Sequence, residues 1–299
     1  MIISASRRTD IPALYTKWLL NRLEAGFCVV RNPFNPKQES LVSLNPEDVE
    51  VIVFWTKDPR PLMAHLDYLD QKGYRYYFQY TLTGYPHYLE PGAPSLDQAI
   101  ETFSQLADRL GAIRVVWRYD PIIISDATGF SYHLEALGQI AQALKGSTQR
   151  VVISLWDAYE KSRRRMREVA DKTGSLQENL EVCEEQQRAF FSDLASIARQ
   201  CEMNISSCSE SGLESYGIAK GKCIDDELIR QVFGIEVSSA KDPGQRQECG
   251  CIASKDIGAY DTCILGCKYC YGVTSPSLAL ARYRQHDPLA PCLAAPFAH

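Results

Sequence analysis

The chain has 299 residues, 45% of them hydrophobic and 23% charged, a balance that suits a globular protein with a sizeable core. Lys and Arg number 32 against 37 Asp and Glu, a formal charge of −5, which argues against a protein that coats nucleic acid. No run reaches the roughly 18 uninterrupted apolar residues of a membrane helix, so no membrane span is expected.

The first 210 residues alternate short β-rich runs with helical patterns. Candidate strands cover 2–6, 51–56, 76–82, 115–119, 151–156 and 204–207. Several of them (VIVFWT, RVVWRY, VVISLW) are nearly continuous apolar or β-branched runs, as expected for parallel strands covered on both faces. Between them, Asp10 caps a helix with an early Pro12 and a closing Gly26. Ser95-x-x-Gln98 has capping-box spacing and opens a helix that ends at Gly111. Further helical patterns cover 130–144 and 176–200.

About six repeats of strand and helix predict an α/β fold with a parallel sheet. Right-handed crossovers leave an open doubly wound sheet or a full or partial parallel (β/α) barrel. The barrel is preferred because polar residues gather just after the strands: Arg7, Arg8 and Asp10; Lys57; Arg118 and Asp120; Asp157; and Ser206 to Glu210. In a barrel these positions converge on one mouth, where such folds keep their chemistry, so Arg7, Arg8, Asp10, Lys57, Arg118, Asp120, Asp157 and Glu210 are the catalytic candidates. Tyr80, Trp117 and Tyr119 are candidates to stack on a ring at that mouth.

After Glu210 the alternation stops. Residues 211–299 form a C-terminal segment with helical hints at 225–233 and 277–284, too rich in loops to build much core unaided. This segment holds most of the thiols. Of the eleven cysteines only Cys28 and Cys183 lie in the first 200 residues. The opening MIISASRRTD has neither the basic nor the apolar region of a secretory leader, so a reducing, cytoplasmic setting is expected. There, clustered thiols bind metal or do redox chemistry more often than they staple a fold.

The informative string is Asp261-Thr-Cys263-Ile-Leu-Gly-Cys267-Lys-Tyr-Cys270-Tyr271, a C-x3-C-x2-C spacing with Tyr269 before the third cysteine. Three thiolates this close can grip one face of an iron–sulfur cluster and leave one iron open. The pattern is similar to the CxxxCxxC signature of the radical S-adenosylmethionine (SAM) superfamily. That resemblance implies a full or partial α/β barrel and a four-iron, four-sulfur cluster on Cys263, Cys267 and Cys270. It also implies SAM on the open iron, with Tyr269 near its adenine, and reductive SAM cleavage that starts radical chemistry. A reduced ferredoxin or flavodoxin would supply the electron, and the enzyme would be an oxidoreductase or transferase. Members usually carry this loop after the first strand, where Arg7-Arg8-Thr9-Asp10 stands here, and no Gly-Gly-Glu follows the second strand. A C-terminal segment folded back over the mouth would bring the loop to the same place. The whole chain also resembles an uncharacterised bacterial domain-of-unknown-function family through its SASRRTDIP and FWTKDP strings and its C-terminal cysteines.

Cys208, Cys223, Cys249 and Cys251 form a second candidate set, for an auxiliary iron–sulfur cluster or a tetrahedral zinc. The five histidines are scattered, and no phosphate loop or nucleophile elbow is present. The basic run 161–167 is a solvated helix face or reaches an anion near the mouth. Three functions follow. The leading one is a radical SAM enzyme acting on an unknown substrate, for which the arginines and Lys57 suit an anion. The second is a barrel whose cysteines hold structural zinc or an electron-relay iron–sulfur site. The third is an RNA-binding or RNA-modifying protein.

Overall fold

A computed structural model describes residues 1–33, 35–157, 159–173 and 183–294. Its centre is a sheet of eight strands, every adjacent pair parallel. Six of the strands are the expected ones: β1 (Ile2–Ala5), β4 (Val51–Thr56), β5 (Tyr76–Thr81), β6 (Val115–Ile122), β7 (Arg150–Leu155) and β8 (Asn204–Ser207). They lie side by side in chain order. The C-terminal segment adds one short strand at each edge, β9 (Ala219–Lys220) beside β8 and β10 (Lys255–Asp256) beside β1.

The two edge strands do not pair, so the full barrel is corrected to an open parallel sheet among the described residues. Sequential winding of a twisted sheet satisfies the handedness of every crossover without requiring closure. Here C-terminal residues occupy both edges, where closing hydrogen bonds would otherwise form.

Side chains alternate strictly between two faces. Ile3, Ile52, Phe54, Tyr76, Phe78, Val115, Trp117, Val151 and Ile153 point into a core shared with the helices. Those helices include α2 (Thr16–Ala25), α5 (Leu96–Leu110), α6 (Phe130–Ala143) and α8 (Glu184–Gln200), all of which contribute buried residues to that core. Ile2, Val51, Val53, Tyr77, Val116 and Val152 point the other way, into a layer completed by Ile224, Leu228, Ile229 and Ile252 of the C-terminal segment. Leu228 and Ile229 come from α9 (Asp226–Phe233), whose N-terminus Asp225 caps through Glu227 N and Leu228 N. Both faces are covered, as continuous apolar strands require.

Some local expectations change. The helix capped by Asp10 breaks at Tyr15 into α1 (Ile11–Leu14) and α2, and Gly26 closes the second in the left-handed conformation. Ser95 caps α5 as read. Part of the 176–200 pattern lies outside the described residues, and its remainder is α8. An antiparallel hairpin, β2 (Phe27–Asn32) with β3 (Asn35–Ser43), was not expected from the pattern. The remaining helices include α3 (Arg60–Met63), α4 (Leu66–Gln71), α7 (Glu160–Thr173) and α10 (Pro276–Arg284). No helix among the described residues is long and apolar enough to cross a membrane.

Candidate metal centres

The Cys263 loop is laid against the C-terminal ends of the first strands. Asp256 on β10 begins the arrangement by accepting from Ser4 Oγ (3.0 Å), Ser6 Oγ (2.6 Å) and the Arg7 backbone N–H (2.9 Å). Beyond it, Tyr15 Oη donates to Thr262 O (2.6 Å), Gly92 N to Leu265 O (2.9 Å) and Lys268 N to Leu89 O (3.0 Å). Tyr271 Oη donates to Arg7 O at 2.8 Å. Two glycines permit this closeness. A Cβ at Gly92 would lie 2.6 Å from Leu265 O, and one at Gly272 would lie 2.7 Å from Arg8 O.

Arg165 of α7 fixes the far side of the loop. Its guanidinium donates to the carbonyls of Lys268 (3.1 Å), Val273 (2.7 Å) and Cys270. The basic run therefore divides. Arg165 turns inward, while Arg164 pairs with Glu168 on the exposed face. Ser162, Arg165, Met166 and Val169 are all buried, and their helical spacing is the signal that would have singled out Arg165.

Glu90, also missed in the sequence, ties the loop to β4 and β5. It accepts from Lys57 Nζ (2.9 Å), Thr83 Oγ1 (2.7 Å) and Tyr269 Oη. Burial alone would push the Lys57 ammonium down, but Glu90 and the Cys267 sulfur hold it above its ordinary value. Tyr269 is itself buried, packed with Tyr85, Leu89 and Met166, so its hydroxyl and ring have protein partners. Asp10 accepts from Ala13 N (3.0 Å) and Lys57 N (2.7 Å), while burial raises its carboxyl to about 6.

Burial raises all three loop thiols, that of Cys263 to about 12. Lys57 opposes the shift at Cys267, and the Gly272 N–H, 3.3 Å from Cys270 Sγ, opposes it at Cys270. The loop thus offers three partly buried sulfurs, with an ammonium and a backbone donor suited to an anionic sulfur ligand. That donor chemistry fits an iron–sulfur group.

Cys208, Cys223, Cys249 and Cys251 lie on the inner face of the sheet, the one lined by Val53, Val116 and Val152. Cys223 Sγ is 3.5 Å from Cys208 Sγ, and Cys251 Sγ accepts from Cys223 N (3.3 Å) and Ile224 N (3.5 Å). Cys223, Cys249 and Cys251 are buried together in one cluster. Arg118 Nη1 donates to Cys223 Sγ at 2.7 Å, and Tyr77 Oη and Gln79 Nε2 donate to the Cys223 carbonyl at 2.8 and 2.7 Å. The Arg7 and Arg118 guanidiniums lie over the Trp55 ring at 5.1 and 4.9 Å. The contact with Cys223 and the nearby Arg118 cation bring the Cys208 thiol down to about 7 against its burial.

The catalytic candidates divide between the two thiol sets. Asp10 and Lys57 border the Cys263 loop, as does the backbone of Arg8, whose guanidinium lies over Tyr260. Arg7, Arg118 and Asp120 border the inner thiols, with Asp120 accepting from Arg118 and Ser154. Asp157 is half-exposed and paired with Arg246, and Glu210 accepts from Leu155 N at 3.0 Å. Lys57 and Arg118 already face carboxylates, so their charge is largely met within the protein. Tyr80, Trp117 and Tyr119 are fully buried on the helical side and do not reach the mouth, which corrects their expected stacking role. A surface cavity of about 440 Å³, lined by Ala13, Leu14, Lys17, Pro61 and His65 among others, contains none of the candidate residues.

Among the described residues no three His, Cys, Asp or Glu side chains stand in the arrangement that holds a single ion. Unpartnered polar atoms instead mark the strand ends. Arg7 Nη2, Thr9 Oγ1, Trp55 Nε1 and Trp156 Nε1 are buried without hydrogen-bond partners. No curated protein matches the chain. The model of a domain of unknown function, DUF1848, matches residues 2–272, from β1 through the Cys263 loop. The chain belongs to the DUF1848 family.

Proposed function

We propose that this protein is a radical SAM enzyme whose four-iron, four-sulfur cluster is held by Cys263, Cys267 and Cys270. The observation that carries the reading is the C-x3-C-x2-C loop lying against the Arg7–Asp10 segment that follows β1. The bound group would supply the electron that cleaves SAM and starts radical chemistry. The protein's own part is to orient the loop through Arg165 and to counter sulfur charge with Lys57. The unpartnered Trp156 Nε1, packed in the same cluster as Tyr269 and Cys267, adds capacity for a polar ligand such as SAM beside the loop. A reduced ferredoxin or flavodoxin is the proposed electron donor.

The test is anaerobic reconstitution with ferrous iron and sulfide, reduction, and measurement of 5′-deoxyadenosine released from SAM. Release that disappears in Cys267→Ala is the expected result. A fully reconstituted, reduced protein that yields no SAM fragment overturns the assignment. Zinc without iron in anaerobically purified protein would move the function to the closed structural reading.

A further inference from the structure

We propose that Cys208, Cys223, Cys249 and Cys251 form a second, closed four-thiolate metal centre on the inner face of the sheet, independent of the Cys263 loop.

The four thiols come from three separate stretches of chain. Cys208 follows β8, Cys223 lies between β9 and α9, and Cys249 and Cys251 precede β10. Cys208 and Cys223 Sγ stand 3.5 Å apart, against about 3.8 Å for two sulfurs on a tetrahedral zinc with bonds of about 2.3 Å. Cys251 Sγ accepts from the backbone N–H of Cys223 at 3.3 Å and of Ile224 at 3.5 Å, and Cys223, Cys249 and Cys251 are buried in one cluster. In the thiol form Cys223 and Cys208 touch through an S–H group. A metal replaces the thiol protons and turns the four sulfurs toward one centre.

The surroundings match the charge of such a group. Four thiolates on a divalent ion carry −2 overall, and two buried guanidiniums face them. Arg118 donates to Cys223 Sγ, and Arg7 lies beside Arg118 over the Trp55 ring with its Nη2 buried without a partner. Walls of Val116, Val152, Ile224 and Ile252 keep water out. Backbone access is provided by Gly221 and Gly250. A Cβ at Gly250 would lie 2.9 Å from Gly221 O, and one at Gly221 would lie 2.7 Å from Ser207 O.

The same stretch has little regular structure of its own. Between Ser207 and Lys255 it holds β9, α9 and one short 3-10 turn, yet it covers a whole face of the sheet. A metal bond network supplies the order that such a loop-rich layer lacks. Four protein sulfurs leave no open coordination position, so the centre is structural or relays electrons and does not bind substrate.

The experiment uses the full chain with the loop ligands removed, as Cys263→Ala, Cys267→Ala and Cys270→Ala together. It is reconstituted anaerobically with ferrous iron and sulfide in one arm and with zinc chloride in the other, then desalted. Bound metal of about four irons or about one zinc per chain is expected, and the arm that retains it identifies the centre. Adding Cys208→Ser and Cys251→Ser should remove that metal. No retained metal in either arm, or metal that survives the added serines, overturns the proposal.

A second measurement avoids dependence on these variants. In wild-type protein, alkylation read by mass spectrometry should show Cys208, Cys223, Cys249 and Cys251 becoming reactive together when a chelator strips the metal. Unchanged labelling on stripping overturns the site. Neither readout requires SAM cleavage, so the radical assignment can fail while this centre stands.

Discussion

The Cys263 loop and the inner thiol set occupy the same sheet but are built in opposite ways. The loop takes three sulfurs from eight consecutive residues and is fixed mainly through its backbone, by Arg165, Gly92, Leu89 and Tyr15. The inner set collects four sulfurs from distant stretches and is fixed by burial against strand side chains. A local motif held at a strand end can leave a position open for a ligand. A set assembled from distant segments inside a core saturates its metal and holds the fold together.

Four changes would break or sharpen this contrast. The largest effect is expected from removing Cys263, Cys267 and Cys270 together, which should take SAM cleavage to background while the inner metal stays bound. Product analysis beside metal content checks both halves of that statement.

Next in size is Glu90→Ala. It leaves Lys57 buried without its carboxylate and strips Thr83 and Tyr269 of their acceptor. A loss of about 3–5 kcal/mol in denaturant stability is expected, as for one partner removed from a buried pair. The inner metal should survive under native conditions. Its release would mean that the two regions are one cooperative unit.

Arg165→Lys keeps the charge but loses the fork that reaches several carbonyls at once. Loop-metal affinity should fall by roughly 10–100-fold, the usual effect of a supporting contact, with no change at the inner set. Competition with a chelator measures both affinities. Equal loss at both sites would erase the distinction.

The smallest effects come from a matched glycine pair. Gly272→Ala drives a Cβ toward Arg8 O, and Gly250→Ala drives one toward Gly221 O. Each should cost about 1–3 kcal/mol of overpacking strain. Thermal denaturation followed by metal content should show Gly272→Ala loosening only the loop metal and Gly250→Ala only the inner one.

Much of the frame was legible in the chain itself. Apolar runs such as VIVFWT mark strands covered on both faces, and Ser95 and Gly111 mark a helix start and end through local capping chemistry. The hairpin 27–43 escaped because NPFNPKQE carries no clean alternation and exposes most of its second strand. Glu90 escaped because a single carboxylate in a loop has no pattern. Its role appears only once Lys57, Thr83 and Tyr269, far apart in sequence, converge on it.

The sequence by itself determined the parallel α/β frame, the crowding of thiols into the C-terminal third and the spacing of Cys263, Cys267 and Cys270. These are properties of neighbouring residues, governed by side-chain periodicity and local reach. Only the tertiary structure decided that the sheet stays open, that C-terminal strands cap both of its edges, and that Arg7 and Arg118 face one thiol set while Lys57 faces the other. Those outcomes depend on which distant segments win the same buried space, and local periodicity carries no information about that competition.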